Sequence, residues 1–200
     1  MNLPNKISLA RICMIPVFVI VFFLEALPFR FGIAAIIFAV AACTDFIDGY
    51  IARSRGLVTN LGKFLDPIAD KVLVATAMIL LLTMEENLFA VLGGAQKAVY
   101  IATVISICVI LARELIISAF RQIAAANGVV MAAEKLGKYK TTFQDIAIFV
   151  LILAADITGT AGFIVAIFGF ALFAVATVLT VWSGITYVLK NKQVLVDKKD

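Results

Sequence analysis

The chain has 200 residues, of which 64% are hydrophobic and 15% charged, and its formal net charge is +4. A soluble globular domain does not need so much apolar sequence, and a helix crosses a bilayer with roughly 20 apolar residues. Runs such as FGIAAIIFAVAAC do not alternate, which excludes a membrane β-barrel. Composition therefore predicts one all-α integral membrane domain over 1–200.

Apolar runs and short polar connections predict about six transmembrane helices. Residues 1–8 precede the first run as a candidate interfacial segment, and 190–200 form a basic tail. We expect no cleaved signal peptide, because no small-residue cleavage site follows the first run. The stretch 84–96 is predicted to be an outer loop interrupted by Gly93 and Gly94. The predicted helices are 7–26, 31–54, 61–84, 97–126, 139–157 and 161–189.

Lysines and arginines are concentrated on one side of the predicted membrane. They fall near the N-terminus, around the second and fourth connections and in the tail, and only Arg30 and Lys97 fall on the other side. By the positive-inside rule, both termini and the even-numbered connections face the cytoplasm of a multi-pass cell-membrane protein. Charges held at a membrane surface suit anionic lipid headgroups, and nucleic acid is not an expected partner.

Cysteine and histidine usage limits the chemistry. Cys13, Cys43 and Cys108 stand singly in apolar runs without C-x-x-C spacing, which predicts packing residues. The absence of histidine excludes histidine-based catalysis and histidine-ligated zinc. Any metal would rest on oxygen ligands, which favours Mg²⁺ or Mn²⁺.

Four aspartates, Asp45, Asp48, Asp66 and Asp70, lie in apolar surroundings, where a carboxylate is costly and its default interpretation is functional. The first two share one helix face and the last two share another. A short turn predicts antiparallel neighbouring helices, with Asp45 and Asp70 each about 12 Å inside the cytoplasmic boundary at 1.5 Å per residue. Such convergence needs either protons or cations to balance the charge, and we predict two divalent ions in a polar cavity open to the cytoplasm.

Small residues accompany the carboxylates. Gly49, Ala52 and Gly62 leave room for a bulky ligand to approach the helix backbones. Arg53 follows on the face of the first two aspartates, where its guanidinium would pair with a phosphate. The constellation predicts a site for a phosphate-bearing substrate at the membrane surface.

Structural alternatives exist for single residues. Asp45 and Arg53 would form a buried ion pair, and Asp66 followed by Pro67 would be a helix N-cap with proline at the first helical position. Glycine and alanine also serve ordinary helix packing in membranes. None of these explains four carboxylates together.

The spacing D-x2-D-G-x2-A-R-x8-G-x3-D-x3-D, from Asp45 to Asp70, resembles the motif of the CDP-alcohol phosphatidyltransferase family at every fixed position. Three further segments are similar to the phosphatidylglycerophosphate synthases of that family. They are NLPNKISLARI at 2–12, RELIISAFRQIAAANG at 113–128 and KLGKYKTTFQ at 135–144. The resemblance covers most of 2–145.

The resemblance implies a homodimeric, metal-dependent enzyme of anionic phospholipid synthesis. It would transfer the phosphatidyl group from CDP-diacylglycerol to sn-glycerol 3-phosphate and release CMP. Asp45, Asp48 and Asp66 would hold the metals, and Asp70 would be the metal-neighbouring general base. Contacts to the liponucleotide would come from Gly49, Ala52, Arg53, Thr59 and Gly62.

The phosphate of the acceptor needs cations, and the candidates lie in the fourth helix and the connection after it. Arg113 stands out because it lies in the middle of an apolar helix, although a pair with Glu114 is the alternative. For Lys135, Lys138 and Lys140, the alternative is that they only set the membrane topology from the inner surface. Asn5, Ser8 and Arg11 are further candidates to line the cavity, and Arg121 ranks lower. The acceptor candidates are Arg113, Lys135, Lys138, Lys140 and Thr141.

Rival functions make distinct predictions. The same chemistry with inositol phosphate or serine as acceptor keeps the whole aspartate motif. A divalent-cation transporter requires polar residues that continue to the outer face, yet the second helix is apolar from Phe31 to Cys43 and the third after Lys71. Four intact carboxylates also disfavour a scaffold without activity.

Overall fold

The computed structural model describes the backbone of residues 3–54, 60–126 and 135–191, and the side chains of 6–44, 62, 65–125 and 136–191. No strand occurs in these ranges, which confirms the all-α prediction. A π-helical turn, Glu85–Phe89, and a 3₁₀ turn, Ala90–Ala95, precede the fourth helix. The long helices are α1 (Leu3–Phe23), α2 (Arg30–Ser54), α3 (Asn60–Leu82), α4 (Gln96–Ala126), α5 (Lys135–Ala154) and α6 (Gly159–Lys190).

The first helix begins earlier than its apolar run. α1 starts at Leu3 and continues into the apolar run, so residues 3–8 are its first turns rather than a separate interfacial segment. Proline is tolerated in the first turn of a helix, where its missing N–H would have no partner, so Pro4 does not delay the start. Ser8 and Arg11 lie on this helix together with the apolar residues that follow, as predicted.

The N-cap interpretation of Asp66 is wrong. α3 begins at Asn60, and Pro67 lies inside the helix rather than at its start. In a membrane, neighbouring helices and side chains can satisfy backbone groups that a proline leaves open. Asp66 is therefore an inward residue of a continuous helix, and the end of a helix does not explain its carboxylate.

The predicted outer loop is mostly helical. Two short turns, Glu85–Phe89 and Ala90–Ala95, occupy the stretch. Gly93, inside the second turn, has φ 54° and ψ −123°, a conformation that glycine adopts without a Cβ penalty, and it kinks the chain just before α4 begins. The predicted interruption at this glycine is confirmed.

The helix surfaces are those of a membrane-embedded protein. Among the described residues, Lys6–Phe23, Glu85–Ala125 and Gly159–Lys190 are long and apolar enough to cross a bilayer, and Arg30–Thr44 is apolar over a shorter length. Large apolar side chains such as Trp182 point outward, with 66% of its surface exposed. Lipid tails are as apolar as these side chains, so such exposure carries no penalty there.

Aromatic packing fills the half of the bundle farthest from the aspartates. Phe18 of α1 packs against Phe22 and against Phe38 of α2, with ring centroids 6.2 and 6.1 Å apart. Phe22 in turn meets Phe31 edge-on at 5.1 Å. α1 packs on both α2 and α3, and each of them contacts α1 more extensively than it contacts the other. The first helix therefore packs against both helices of the aspartate motif, which also contact each other.

Small residues let α6 approach α5 closely. A Cβ on Gly169 would lie 2.7 Å from Leu151 Cδ2, and one on Gly162 would lie 1.9 Å from the carbonyl oxygen of Ile157. Close approach through glycine is a common packing mode in membranes. At the same end, Asp156 accepts a hydrogen bond from the backbone N–H of Gly32 at 2.6 Å. This carboxylate satisfies a backbone donor in the first turn of α2. It thereby joins the connection between α5 and α6 to the start of α2.

Candidate functional site

The aspartate motif occupies the end of α2 and the first half of α3. Asp45 and Asp48 lie on the helical backbone of α2, and Asp66 and Asp70 on that of α3. Spacings of three and four residues place each pair on one face of its helix. The helical backbone on which the prediction depends is therefore present for all four residues.

Several predicted contacts lie outside the described residues. Gly49 is on the described backbone of α2, and Gly62 is buried in α3. The burial of Gly62 suits a close approach to a helix backbone, which is the role predicted for it. The predictions outside the described residues concern the side chains of Asp45, Asp48, Ala52, Arg53 and Lys135 and all of Thr59.

Asp66 is held by the first helix. It is half-buried and accepts a hydrogen bond on Oδ1 from Ser8 Oγ at 2.5 Å. Ser8 itself is 0% exposed. A hydroxyl that donates to an ionised carboxylate makes a strong and directional bond, so it fixes the orientation of Asp66. Asp70, one turn further along α3, is also half-buried.

Arg11 brings the same helix against the segment that leads into Asp45. It is 1% exposed, and its Nε donates to the Ala41 carbonyl at 3.1 Å and to Thr44 Oγ1 at 3.3 Å. Ser8 and Arg11 are three residues apart and share a face of α1. One turn of α1 therefore contacts Asp66 of the motif on α3 and, on α2, the turn that precedes Asp45.

The donor chemistry fits a hard divalent cation. The motif supplies carboxylate oxygens, and the chain contains no histidine. Asp66 is oriented by a hydroxyl in a buried position, as metal-ligating carboxylates usually are. Mg²⁺ and Mn²⁺ prefer such all-oxygen sites.

A second charged cluster joins α4, α5 and α6 around Glu114. Arg113 Nη1 lies 3.0 Å from Glu114 Oε1, and Lys140 Nζ contacts the same oxygen. The other terminal nitrogen of Arg113, Nη2, donates to Ser183 Oγ at 3.0 Å. Lys140 is 4% exposed, so this ion pair is held inside the bundle. The Glu114 carboxylate thus binds Arg113 and Lys140, two of the residues predicted to bind the phosphate of the acceptor substrate.

The ion pair predicted as the alternative for Arg113 is present. The cluster of Arg113, Glu114 and Lys140 nevertheless has two cations for one anion. Arg113 Nε is buried and has no hydrogen-bond partner among the described residues. Gly184 of α6 makes room for this side chain, because a Cβ there would lie 3.0 Å from Arg113 Cγ. The arrangement can still accept an anion, and the phosphate-binding role stays a prediction.

The remaining acceptor candidates differ in their surroundings. Lys138 is exposed, and Thr141 donates its hydroxyl to the Gly137 carbonyl at 3.1 Å. Arg121 binds α6 through Tyr187, with Nε 3.1 Å from the phenolic oxygen. Of the two candidate lysines whose side chains the structure describes, Lys140 lies in the interior beside Arg113 and Lys138 is exposed.

One contact that the sequence did not reveal links the two clusters. Lys71, which follows Asp70 on α3, donates to Ser118 Oγ on α4, and Ser118 donates to the Glu114 carbonyl at 2.6 Å. The only sequence signals were a lysine in an apolar helix and the shared face of Glu114 and Ser118. Lys71 fixes the aspartate-bearing helix against the helix of the basic cluster.

A groove of about 480 Å³ lies apart from the carboxylates, between α4 and α6. Arg113 reaches it, but nearly all of its lining is aliphatic, including Ile116, Val181 and Leu189. Such a lining suits lipid chains and offers nothing to a nucleotide. Size alone therefore does not locate the chemistry, and the carboxylates remain the candidate site.

Comparison with known proteins identifies the family of the chain. A family model described as CDP-alcohol phosphatidyltransferase matches residues 1–182. The CDP-diacylglycerol–glycerol-3-phosphate 3-phosphatidyltransferase of Bacillus subtilis (strain 168) is 39% identical over 207 aligned residues, which cover 97% of each chain. The enzyme of the same name from Escherichia coli (strain K12) is 39% identical over 199 residues and 98% of each chain. The chain belongs to the CDP-alcohol phosphatidyltransferase family.

Proposed function

We propose that the protein transfers the phosphatidyl group of CDP-diacylglycerol to sn-glycerol 3-phosphate, giving phosphatidylglycerophosphate and CMP. The observation that carries this proposal is the full-length similarity to relatives named for that reaction. The complete aspartate motif supports it, because the chain keeps every residue type that the chemistry needs.

In the proposed reaction, Asp70 acts as a base and the other three aspartates of the motif hold metal ions. The acceptor hydroxyl oxygen attacks the phosphorus attached to diacylglycerol, and the bond from this phosphorus to the bridging oxygen of CMP breaks. Asp70 accepts the proton of the hydroxyl. Asp45, Asp48 and Asp66 would hold two divalent ions, which supply charge neutralisation for the diphosphate and for the departing CMP. Arg53 and the small residues Gly49, Ala52 and Gly62 would border the nucleotide, together with Thr59.

The basic cluster is proposed to bind the acceptor phosphate. Arg113 and Lys140 share one carboxylate, so the cluster keeps one unit of positive charge for an incoming anion. The buried Nε of Arg113 supports this role, since an idle buried donor is costly. Lys135, Lys138 and Thr141 are proposed as further contacts. The link from Lys71 to α4 would fix the acceptor relative to the base.

We further propose six membrane crossings, with both termini and the site on the cytoplasmic side. About 24 Å of helix separates Lys97 from Arg113 at 1.5 Å per residue, so Arg113 would lie just inside the inner boundary of a bilayer core about 30 Å thick. Asp70 is predicted about 12 Å inside the same boundary, roughly one helix turn deeper than Arg113. The positive-inside distribution supports this orientation.

The acceptor is tested by release of CMP. Purified protein with CDP-diacylglycerol and Mg²⁺ is given glycerol 3-phosphate, inositol phosphate or serine, and Asp70→Asn serves as the inactive control. We expect CMP to be released with glycerol 3-phosphate and not with inositol phosphate or serine. Release with another alcohol and none with glycerol 3-phosphate would refute the assigned acceptor.

A further inference from the structure

One face of α1 is buried along most of the helix, and its chemistry changes where it meets the aspartates. Ser8, Arg11, Ile15, Phe18 and Phe22 recur at intervals of three and four residues, and none is more than 8% exposed. The last three are apolar and pack among the aromatic residues of the bundle. The first two are polar, although packing alone requires no polar group there and a buried arginine is costly in a membrane.

The two polar side chains of this face reach different helices. Ser8 donates to Asp66 of α3, and Arg11 donates to the Ala41 carbonyl and to Thr44 of α2. Thr44 directly precedes Asp45 and donates to the same carbonyl at 2.6 Å. One turn of α1 therefore bridges the two carboxylate-bearing helices through side-chain hydrogen bonds.

We propose that Ser8 and Arg11 are positioning residues of the metal site. Ser8 orients the Asp66 carboxylate, and Arg11 fixes the part of α2 that presents Asp45. This inference rests on the part of the proposed function that assigns divalent metal to the aspartates. Removing a hydrogen bond that orients a metal-binding side chain typically weakens metal affinity by about 10- to 100-fold.

The test measures Mn²⁺ binding to the purified full chain in detergent, without substrates, from the electron paramagnetic resonance signal of free Mn²⁺. Ser8→Ala is expected to raise the Kd for Mn²⁺ by about 10- to 100-fold. Ser8→Thr keeps the hydroxyl and should restore most of the affinity. Ile20→Ala, on the exposed face of the same helix, should bind as the unchanged protein does.

Arg11 is tested in parallel. Arg11→Lys keeps the charge and loses the Nε–H that contacts α2, so it should also weaken Mn²⁺ binding. Thr44→Val removes the hydroxyl on the α2 side and should act in the same direction. If Ser8→Ala shows no cooperative thermal unfolding and is therefore not folded, the Mn²⁺ affinity of Thr44→Val tests the positioning role instead.

Two results would overturn the inference: unchanged Mn²⁺ affinity in folded Ser8→Ala or Thr44→Val protein, or no Mn²⁺ binding by the unchanged protein. The Mn²⁺ assay contains no acceptor substrate. Its result therefore stands even if the protein does not transfer the phosphatidyl group to glycerol 3-phosphate. Conversely, intact transfer with unaltered Mn²⁺ binding in the variants would refute only the positioning role.

Discussion

Replacing Glu114 by glutamine should destabilise the protein by about 3 kcal/mol, because the change leaves two cations without their shared carboxylate. The side chains of Lys140 and Arg113 are 4% and 17% exposed, and both meet Glu114 Oε1. Breaking a buried ion pair from one side costs about 3–5 kcal/mol. Glu114 is itself 25% exposed, so partial hydration places the expected loss at the lower end.

The assay is unfolding of the purified protein in mixed micelles, by heat and by SDS titration. Glu25→Gln is the matched control, because Glu25 pairs with Arg30 at 3.6 Å and its side chain is 88% exposed. Exposed ion pairs contribute little to stability, so this variant should unfold as the unchanged protein does. Equal losses in Glu114→Gln and Glu25→Gln would refute the importance of burial at Glu114.

A double variant separates stability from acceptor binding. Glu114→Gln combined with Lys140→Met removes one of the stranded charges, so part of the lost stability should return. The same protein has lost a proposed phosphate ligand, so its KM for glycerol 3-phosphate should stay high. Recovery of both properties together would show that Lys140 does not bind the acceptor.

Asp70→Asn should abolish CMP release yet weaken Mn²⁺ binding less than Asp66→Asn does; equal loss of binding would contradict the separation of base from ligand. Arg113→Ala should raise the KM for glycerol 3-phosphate more than that for CDP-diacylglycerol in steady-state kinetics, and the reverse pattern would discard its phosphate role. Gly162→Ala should lower the thermal unfolding temperature, because the new Cβ would lie 1.9 Å from a backbone oxygen, whereas Gly94→Ala meets nothing within 4 Å and should not. A tolerated alanine at Gly162 would show that this turn relaxes readily.

The helices were predictable because long apolar runs carry a strong signal. The ends of α2, α3, α4 and α6 lie within two residues of the predicted ones, whereas α1 and α5 each begin four residues and end three residues earlier than predicted. Proline normally indicates a helix start or stop, which made Pro67 look like the beginning of a helix, yet α3 continues through it. Pro16 likewise lies inside α1. Where neighbouring helices supply packing and polar partners, local propensity gives way to tertiary context.

The motif residues were predictable from spacing. Ser8 and Arg11 were candidates to line the cavity, but their contacts with the motif helices were not predictable. α1 is apolar on nearly all sides, so its sequence did not show which face is buried or that Ser8 and Arg11 belong to it. Side-chain periodicity identifies a face only when one side of a helix is polar. The contacts to Asp66 and Thr44 span 58 and 33 residues and depend on how the helices pack.

The charged cluster was predictable only in part. Adjacent residues suggested the pair of Arg113 with Glu114, and the structure contains it. Lys140 also binds the Glu114 carboxylate, and Lys71 contacts Ser118. Both contacts join different helices, and the sequence did not specify how these helices are rotated relative to each other. Charge in an apolar helix indicated that these residues matter, and packing determined their partners.

Identification of the lipid product tests the proposed reaction most directly. Purified protein is supplied with CDP-diacylglycerol, glycerol 3-phosphate and Mg²⁺, and the extracted lipids are analysed by mass spectrometry while CMP is quantified. The expected result is phosphatidylglycerophosphate in an equimolar amount to CMP, and neither product from Asp70→Asn. CMP accompanied by phosphatidic acid, or no phosphatidylglycerophosphate at all, would contradict transfer to this acceptor.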